Sequence, residues 1–313
     1  MKKILITGGT GFVGSNFVYK FLKLGDEVHL LVRPEAKFWR IEPVKSRVKL
    51  HNVDITNDSD VDKFISELRP EIILHFATYG AYQWKEQDVK TTIDTNLLGT
   101  VNLVNACSKI GFECFINTGS TSEYGEKKAP MKETDLLEPN NLYGTTKAAA
   151  TLYCQFLAKK LDLPLATMRL FSPYGYFEGE GRLMPALVRA ALYGEKFEAP
   201  SPSIVRDFIF IEDVVSAYLK AIGKIGSIKG QILNIASGEE HSIGEAVEIV
   251  ERISGAKIEA NYGKIPPRQT EPKRWVADIT KAKTLLDWKP ENSLFDGLSK
   301  FIAWAKNNEV FIK

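Results

Sequence analysis

A short apolar run, Lys2-Lys3-Ile4-Leu5-Ile6, breaks into Thr7-Gly8-Gly9-Thr10-Gly11-Phe12-Val13-Gly14, and an amphipathic segment from Ser15 to Leu24 follows. This is the pattern of a strand, a glycine turn and a helix. Gly8, Gly11 and Gly14 recur at every third position. In such a turn the first glycine permits the sharp bend, the second lets backbone approach a pyrophosphate, and the third lets helix pack on strand. The N–H groups opening that helix, at Phe12, Val13 and Gly14, together with its dipole, form a site for a dinucleotide diphosphate.

Further along, apolar runs alternate with helical patterns. Strands are expected at Glu27–Val32, Val48–Val53, Glu71–Ala77 and Phe112–Asn117, and helices at Asp60–Leu68 and from Asp94 through Cys107. Such alternation predicts an α/β fold, a Rossmann-type doubly wound parallel sheet covered on both faces. With 313 residues the chain exceeds what one core usually spans. After about residue 172 the apolar runs shorten and Pro, Gly and aromatic residues increase. The expected division is a dinucleotide-binding domain over 1–172, with returns near 205–236, and a smaller mixed α/β C-terminal lobe over 173–313 that takes the substrate.

Lys plus Arg number 41 against 39 Asp plus Glu, so no basic excess demands nucleic acid or an anionic membrane. No apolar stretch approaches a membrane span, and the opening Met1-Lys2-Lys3 leads into a run that ends too soon for a secretory leader. Cys107, Cys114 and Cys154 are odd in number and lack metal-ligand spacing. Together these point to a reduced, cytoplasmic setting without a metal site.

The second strand ends at Val32-Arg33. Where NAD-binding versions of the fold place an acid for the adenosine ribose, this chain has Val32. Arg33, with Lys37 and Arg40 behind it, suits a 2′-phosphate, so NADP(H) is expected ahead of NAD(H). Asp54-Ile55, after the third strand, is expected beside the adenine. His75 lies inside an apolar strand and reads as a packed, hydrogen-bonded core residue.

Chemistry is expected from two further stretches. Thr118-Gly119-Ser120-Thr121-Ser122 follows the fifth strand, at the sheet edge where ligands bind in doubly wound folds. Tyr143-Gly144-Thr145-Thr146-Lys147 sets a phenol and an ammonium four residues apart, on one helix face. The cation favours the phenolate and lowers its pKa toward the working range. A hydroxyl such as Ser120 would bind the same substrate oxygen. The trio would take a proton from a sugar hydroxyl while hydride leaves its carbon for nicotinamide, or run the reverse.

With these residues in place, the chain resembles the extended short-chain dehydrogenase/reductases that act on nucleotide sugars. The resemblance runs through the glycine turn, Asp54-Ile55, Leu74-His75-Phe76-Ala77, Asn96-Leu97-Leu98-Gly99-Thr100, the serine strand end and Tyr143/Lys147. It continues in Arg169-Leu170-Phe171-Ser172-Pro173-Tyr174-Gly175, Arg206-Asp207-Phe208 and Arg268 with Trp275-Val276-Ala277-Asp278. It implies Tyr143 as acid/base, Lys147 as its pKa and cofactor-ribose partner, and Ser120 as the hydroxyl positioning substrate. Phe76, Ala77 and Asn96 would lie near the cofactor. Tyr79, Thr121, Ser122 and Ser172 would meet the substrate, with Arg206 and Arg268 clamping its diphosphate. A homodimer packed through the Asn96 and Tyr143 helices is also implied.

Two departures narrow the activity. Ser172 stands where the family usually has Asn. Dehydratases carry an acid two positions before the second tyrosine; here that place is Ser122, and Glu123 is one residue too late. Strand alternation should point Glu123 to the opposite face. That leaves a reductase of a nucleotide-4-keto-(6-deoxy)hexose, favoured by Arg33, or a 4-epimerase with tightly held NAD. A non-catalytic dinucleotide sensor ranks below both, because Tyr143 and Lys147 are present. The loops Tyr79 to Trp84, Tyr174 to Arg182 and Ala199 to Ile204 are expected to read base and sugar.

Overall fold

The structure is a computed structural model and describes residues 1–81, 88–264 and 272–309. The expected alternation forms a seven-stranded parallel sheet. In chain order its strands are β1 Lys3–Thr7, β2 Glu27–Val32, β3 Lys49–Asn52, β4 Ile72–His75, β5 Cys114–Ser120, β6 Leu165–Leu170 and β7 Ile232–Ile235. Side by side they run β7-β6-β5-β4-β1-β2-β3. The order turns back between β1 and β4, and open sheets of this kind bind ligands at that switch point, beyond the carboxyl ends. Thr7 of β1 pairs with His75 of β4, which pairs with Asn117 of β5, so the three strand ends lie level.

The helices among these strands are α1 Phe12–Leu24, α2 Asp58–Leu68, α3 Val89–Ile93, α4 Gly99–Ile110 and α5 Leu142–Leu161. Side-chain caps set three of the starts: Asn57 accepts from the Asp60 N–H, Asp88 from the Thr91 N–H at 2.6 Å, and Asn141 from the Gly144 N–H at 2.7 Å. On one sheet face Leu5, Ile73 and Phe115 bury against Val61 and Ile65 of α2, Leu103 and Val104 of α4, and Leu157 of α5. Elsewhere Phe17 of α1 packs at a tilt against the Phe76 and Tyr218 rings. All three cysteines are buried, and burial raises their pKa values, so they are apolar filler rather than nucleophiles.

Between α3 and α4 the chain makes a π-helical turn, Asp94–Leu98. The sequence pattern predicts one continuous helix there. The wider turn displaces the helical phase and faces Asn96 inward, where it is fully buried.

The chain divides into two compact units. The first is Met1–Gly125, Leu136–Arg169 and Tyr218–Leu233; the second is Glu126–Asp135, Leu170–Ala217 and Asn234–Lys313. The second unit contains helices α6 Leu183–Tyr193, α8 Ile243–Ser254, α9 Thr280–Leu286 and α10 Leu294–Asn307, while α7 Ile211–Gly223 begins in it. Its short strand Val205–Arg206 lies between His241–Ser242, antiparallel, and Arg274–Trp275, parallel. Among the described residues no helix is long and apolar enough to cross a membrane.

Candidate active site

The glycine turn has the geometry that its spacing predicts. Gly8 sits at φ +68°, and a Cβ there would come within 2.7 Å of the Phe76 and Ala77 backbone. At Gly14 a Cβ would overlap the Gly8 carbonyl. These two glycines let the turn, β4 and α1 close on one another. Gly11 differs. It is the N-cap of α1 in extended backbone that any residue adopts, and a Cβ there would meet only Gly8 O at 3.1 Å. That contact is tight but milder than those at Gly8 and Gly14, and a diphosphate on the N–H groups of Phe12, Val13 and Gly14, which have no side-chain cap, would add a second reason for a bare backbone. The residues present fit a dinucleotide.

His75 ties this turn to Asn96. Thr100 Oγ1 donates to Asn96 O at 2.7 Å, so its contact of 2.9 Å with His75 Nε2 makes Nε2 the donor. His75 Nδ1 is then an acceptor and takes the Thr7 hydroxyl at 2.6 Å, while Thr7 Oγ1 accepts from the Ala77 N–H. Burial lowers the His75 pKa to about 3, with Lys147 acting in the same direction, so the ring is neutral. It is the core residue that the sequence reading expects.

Asn96 spends its whole amide on protein. Its Oδ1 accepts from Thr78 Oγ1 at 3.0 Å and from the Tyr79 N–H at 2.8 Å; its Nδ2 donates to Tyr79 O and Thr146 Oγ1. It clamps the segment after β4 to α5, which sets the helix that carries Tyr143. Tyr79 is placed through its backbone by this clamp. Phe76 packs against Phe17, and Asp54 Oδ1 accepts from Thr56. Ile55 lies under Gly99, where a Cβ would meet it at 2.7 Å.

Tyr143 and Lys147 lie one turn apart on α5. A Cβ at Gly144 would overlap Ser122 O, so that glycine brings the helix start directly against the turn after β5. The helix that carries Tyr143 and Lys147 thereby starts against the turn that carries Ser120–Ser122. Burial lowers the Lys147 pKa from its ordinary value, opposed by Glu123 and Cys154. Ser120 Oγ accepts from the Ser122 N–H at 3.1 Å, which leaves its hydroxyl proton to aim elsewhere. Thr121 and Ser122 are buried.

Glu123 behaves differently from the sequence expectation. The strand stops at Ser120, and Thr121–Glu123 form a 3-10 turn, so strand alternation does not set its direction. Its carboxylate is fully buried and bound to Arg169 Nε at 2.7 Å, the Ser120 N–H at 2.8 Å and Thr151 Oγ1 at 3.0 Å. Three partners hold it inside the protein, away from the role of an eliminating acid.

Arg33 is exposed at the end of β2. Of the cations named with it, Arg40 is the one that meets the glycine turn: it donates to Thr10 O at 3.3 Å and lies over Trp39. In the second unit Arg206 is buried, its guanidinium 4.8 Å from the centre of the Trp275 ring. Beside it Asp207 accepts from Ser237, Gly238 and Ala277. Ser172 adopts φ +22°. The aromatic residues of the 174–182 loop pack: Tyr174 on Phe210, and Tyr176 and Phe177 on Trp304. Arg268, and Trp84 with its neighbours from 82, lie outside the described residues.

Residues 4–236 match the NAD dependent epimerase/dehydratase family. The chain is 29% identical to a putative UDP-glucose 4-epimerase of Methanocaldococcus jannaschii, covering 97% of this chain and 99% of that one. Among solved structures it superposes on UDP-glucuronic acid 4-epimerase from Bacillus cereus, in complex with UDP-glucuronic acid and NAD, with TM-score 0.86, 29% identity and 97% and 99% coverage. A dTDP-glucose 4,6-dehydratase from Bacillus anthracis, in complex with NAD, matches with TM-score 0.87, 25% identity and complete coverage of both chains. These structures hold NAD, and the preference for NADP expected from Arg33 finds no support in them. The glycine turn and the match over most of its length identify the chain as an enzyme of the NAD-dependent epimerase/dehydratase family, within the extended short-chain dehydrogenase/reductases.

Proposed function

We propose that this enzyme is a nucleotide-sugar 4-epimerase that retains NAD through its cycle. The observation that carries the reading is the packing of α5 against the Ser120 turn while Glu123 is consumed by Arg169, Ser120 and Thr151. This arrangement supplies proton transfer at a ring hydroxyl and keeps that carboxylate from eliminating water. Tyr143 Oη takes the proton of the C4 hydroxyl, and Ser120 holds the same oxygen. Lys147 stabilises the phenolate by its charge. NAD, when bound on the glycine turn, supplies the redox partner for C4. Tyr143 returns the proton after the sugar has presented its other face. The first unit takes the dinucleotide, and the second takes the nucleotide diphosphate through Arg206 and Arg268.

Two relatives support the epimerase: the full-length M. jannaschii similarity and the B. cereus enzyme with NAD. A reductase of a nucleotide-4-keto-(6-deoxy)hexose is the second reading, favoured by the Arg33 and Arg40 cations. The cofactor released on denaturing the purified protein separates them. Stoichiometric NAD, with interconversion of UDP-glucose and UDP-galactose or of the UDP-hexuronates, supports the epimerase. A cofactor-free protein that binds NADPH far better than NADH supports the reductase. In either case Tyr143→Phe is expected to lower kcat by about 10²–10⁴-fold. No turnover in either the parent or that variant would revive the non-catalytic sensor.

The family resemblance also proposes a homodimer, and the exposed apolar residues Leu98, Leu152 and Phe156 support it, being 45%, 52% and 54% exposed on the helices named for that interface. A monomer in sedimentation at micromolar concentration, unchanged by Phe156→Glu, would count against it.

A further inference from the structure

The Glu123–Arg169 ion pair is almost completely enclosed, with side chains 0% and 1% exposed. Arg169 Nη1 also donates to the Tyr124 hydroxyl at 2.8 Å, and its guanidinium lies 4.6 Å from that ring's centre. Burying two charges costs more desolvation than the pairing usually returns, and well-packed apolar residues would hold the same space equally well. Stability alone is therefore a poor reason for the pair. Its connections give a better one. Glu123 Oε1 accepts from the Ser120 N–H, and so fixes the backbone of the hydroxyl that meets substrate. The same oxygen accepts from Thr151, one turn beyond Lys147 on α5, while Arg169 anchors the carboxylate from β6.

We propose that Glu123 and Arg169 are positioning residues: they hold the Ser120 turn against α5 and keep the charge beside the Tyr143–Lys147 couple balanced, which sets the pH range in which Tyr143 exchanges its proton. This rests on the reading of Tyr143 as acid/base. The charged and titratable groups acting on Lys147 among the described residues come from three elements. Glu123 lies on the 3-10 turn and Cys154 on α5 itself, both raising its proton affinity, and His75 on β4 is neutral. Arg169 reaches this set through Glu123. By Coulomb's law a carboxylate and a guanidinium held together act with opposite sign on a phenol one helix turn from Lys147, and on this proposal they offset one another only while both are present.

The test reads Tyr143 ionisation directly, as the near-ultraviolet phenolate titration of each protein minus that of its Tyr143→Phe counterpart. No substrate is needed, so the result stands apart from the identity of the reaction. Glu123→Gln leaves the guanidinium uncompensated, and Tyr143 should ionise at lower pH. Arg169→Met leaves the carboxylate, and Tyr143 should ionise at higher pH. In the double variant E123Q/R169M, which carries neither charge, the titration should return to that of the parent. Singles that shift in the same direction, or not at all, overturn the proposal and leave a structural pair.

Turnover gives a second readout. The double variant should lose about tenfold to a hundredfold in kcat with little change in KM, because Ser120 is no longer held by a charged partner. If the singles do not fold, the double variant and Arg169→Lys, both without a net charge change, decide the matter. Both should keep the parental Tyr143 titration and lose kcat; a folded double variant with parental kcat overturns the positioning role. Full turnover in Tyr143→Phe would instead defeat the acid/base reading, while the titration still scores the charge balance.

Discussion

Gly119 has no side chain, yet its neighbours fix it. A Cβ there would stand 2.6 Å from Glu123 Oε1, 2.9 Å from Arg169 Cγ and 3.1 Å from Thr167 Cγ2, all buried. The first two cannot retreat without disturbing the ion pair, so Gly119→Ala is expected to cost about 2–4 kcal/mol in urea unfolding. Ser172 presents the opposite case. It holds a left-handed φ of +22°, a conformation that asparagine tolerates better than serine. The residue that the family usually has there is therefore also the better backbone fit. Ser172→Asn should raise stability by about 0.5–1 kcal/mol. A loss of stability in that variant would show that the strain is relieved by the serine hydroxyl.

At the scale of elements, what was legible in the sequence was local. The glycine turn, the alternating strands and the Tyr143/Lys147 spacing each depend on residues within a few positions, where backbone conformation and helical period decide the outcome. Less legible were departures from regular geometry. The π turn at Asp94–Leu98 keeps an ordinary helical composition, and only tertiary contacts with Tyr79 and Thr146 select the wider turn. The 3-10 turn at Thr121–Glu123 depends likewise on a carboxylate whose partner is 46 residues away. Arg40 reaches Thr10 across 30 residues. Asn96 is the point at which such long-range geometry can be tested. Asn96→Ala leaves the Tyr79 N–H and C=O without their amide partner, and an expected loss of about 2–4 kcal/mol follows. Amide exchange at Tyr79 should rise well above that of the β4 core; equal protection there would mean that the clamp is dispensable.

For the molecule as a whole, two buried groups give opposite dependences of stability on pH. His75 in the first unit has its pKa lowered from 6.5 to about 3, so between those values the unfolded chain binds the extra proton. Its contribution is fully present above pH 6.5 and is lost as pH falls toward 3. Asp207 in the second unit is the reverse. Burial pushes its carboxyl from 3.8 up to about 6, against four hydrogen-bond donors that favour the charged form. Between those values the folded state binds the extra proton, so its contribution grows as pH falls from about 6 to 3.8. Each slope is about 1.4 kcal/mol per pH unit, and in the shared window they cancel. In a single unfolding transition these two groups should therefore give the parent protein a flat profile between pH 4 and 6 in urea unfolding. His75→Asn should uncover the Asp207 slope, with stability rising as pH falls. Asp207→Asn should uncover the His75 slope, with stability falling. If the units unfold together, both slopes belong to one transition. If they unfold separately, His75→Asn changes only the transition of the first unit and Asp207→Asn only that of the second. Two variants with the same sign of slope would show that one of the assigned protonation states is wrong.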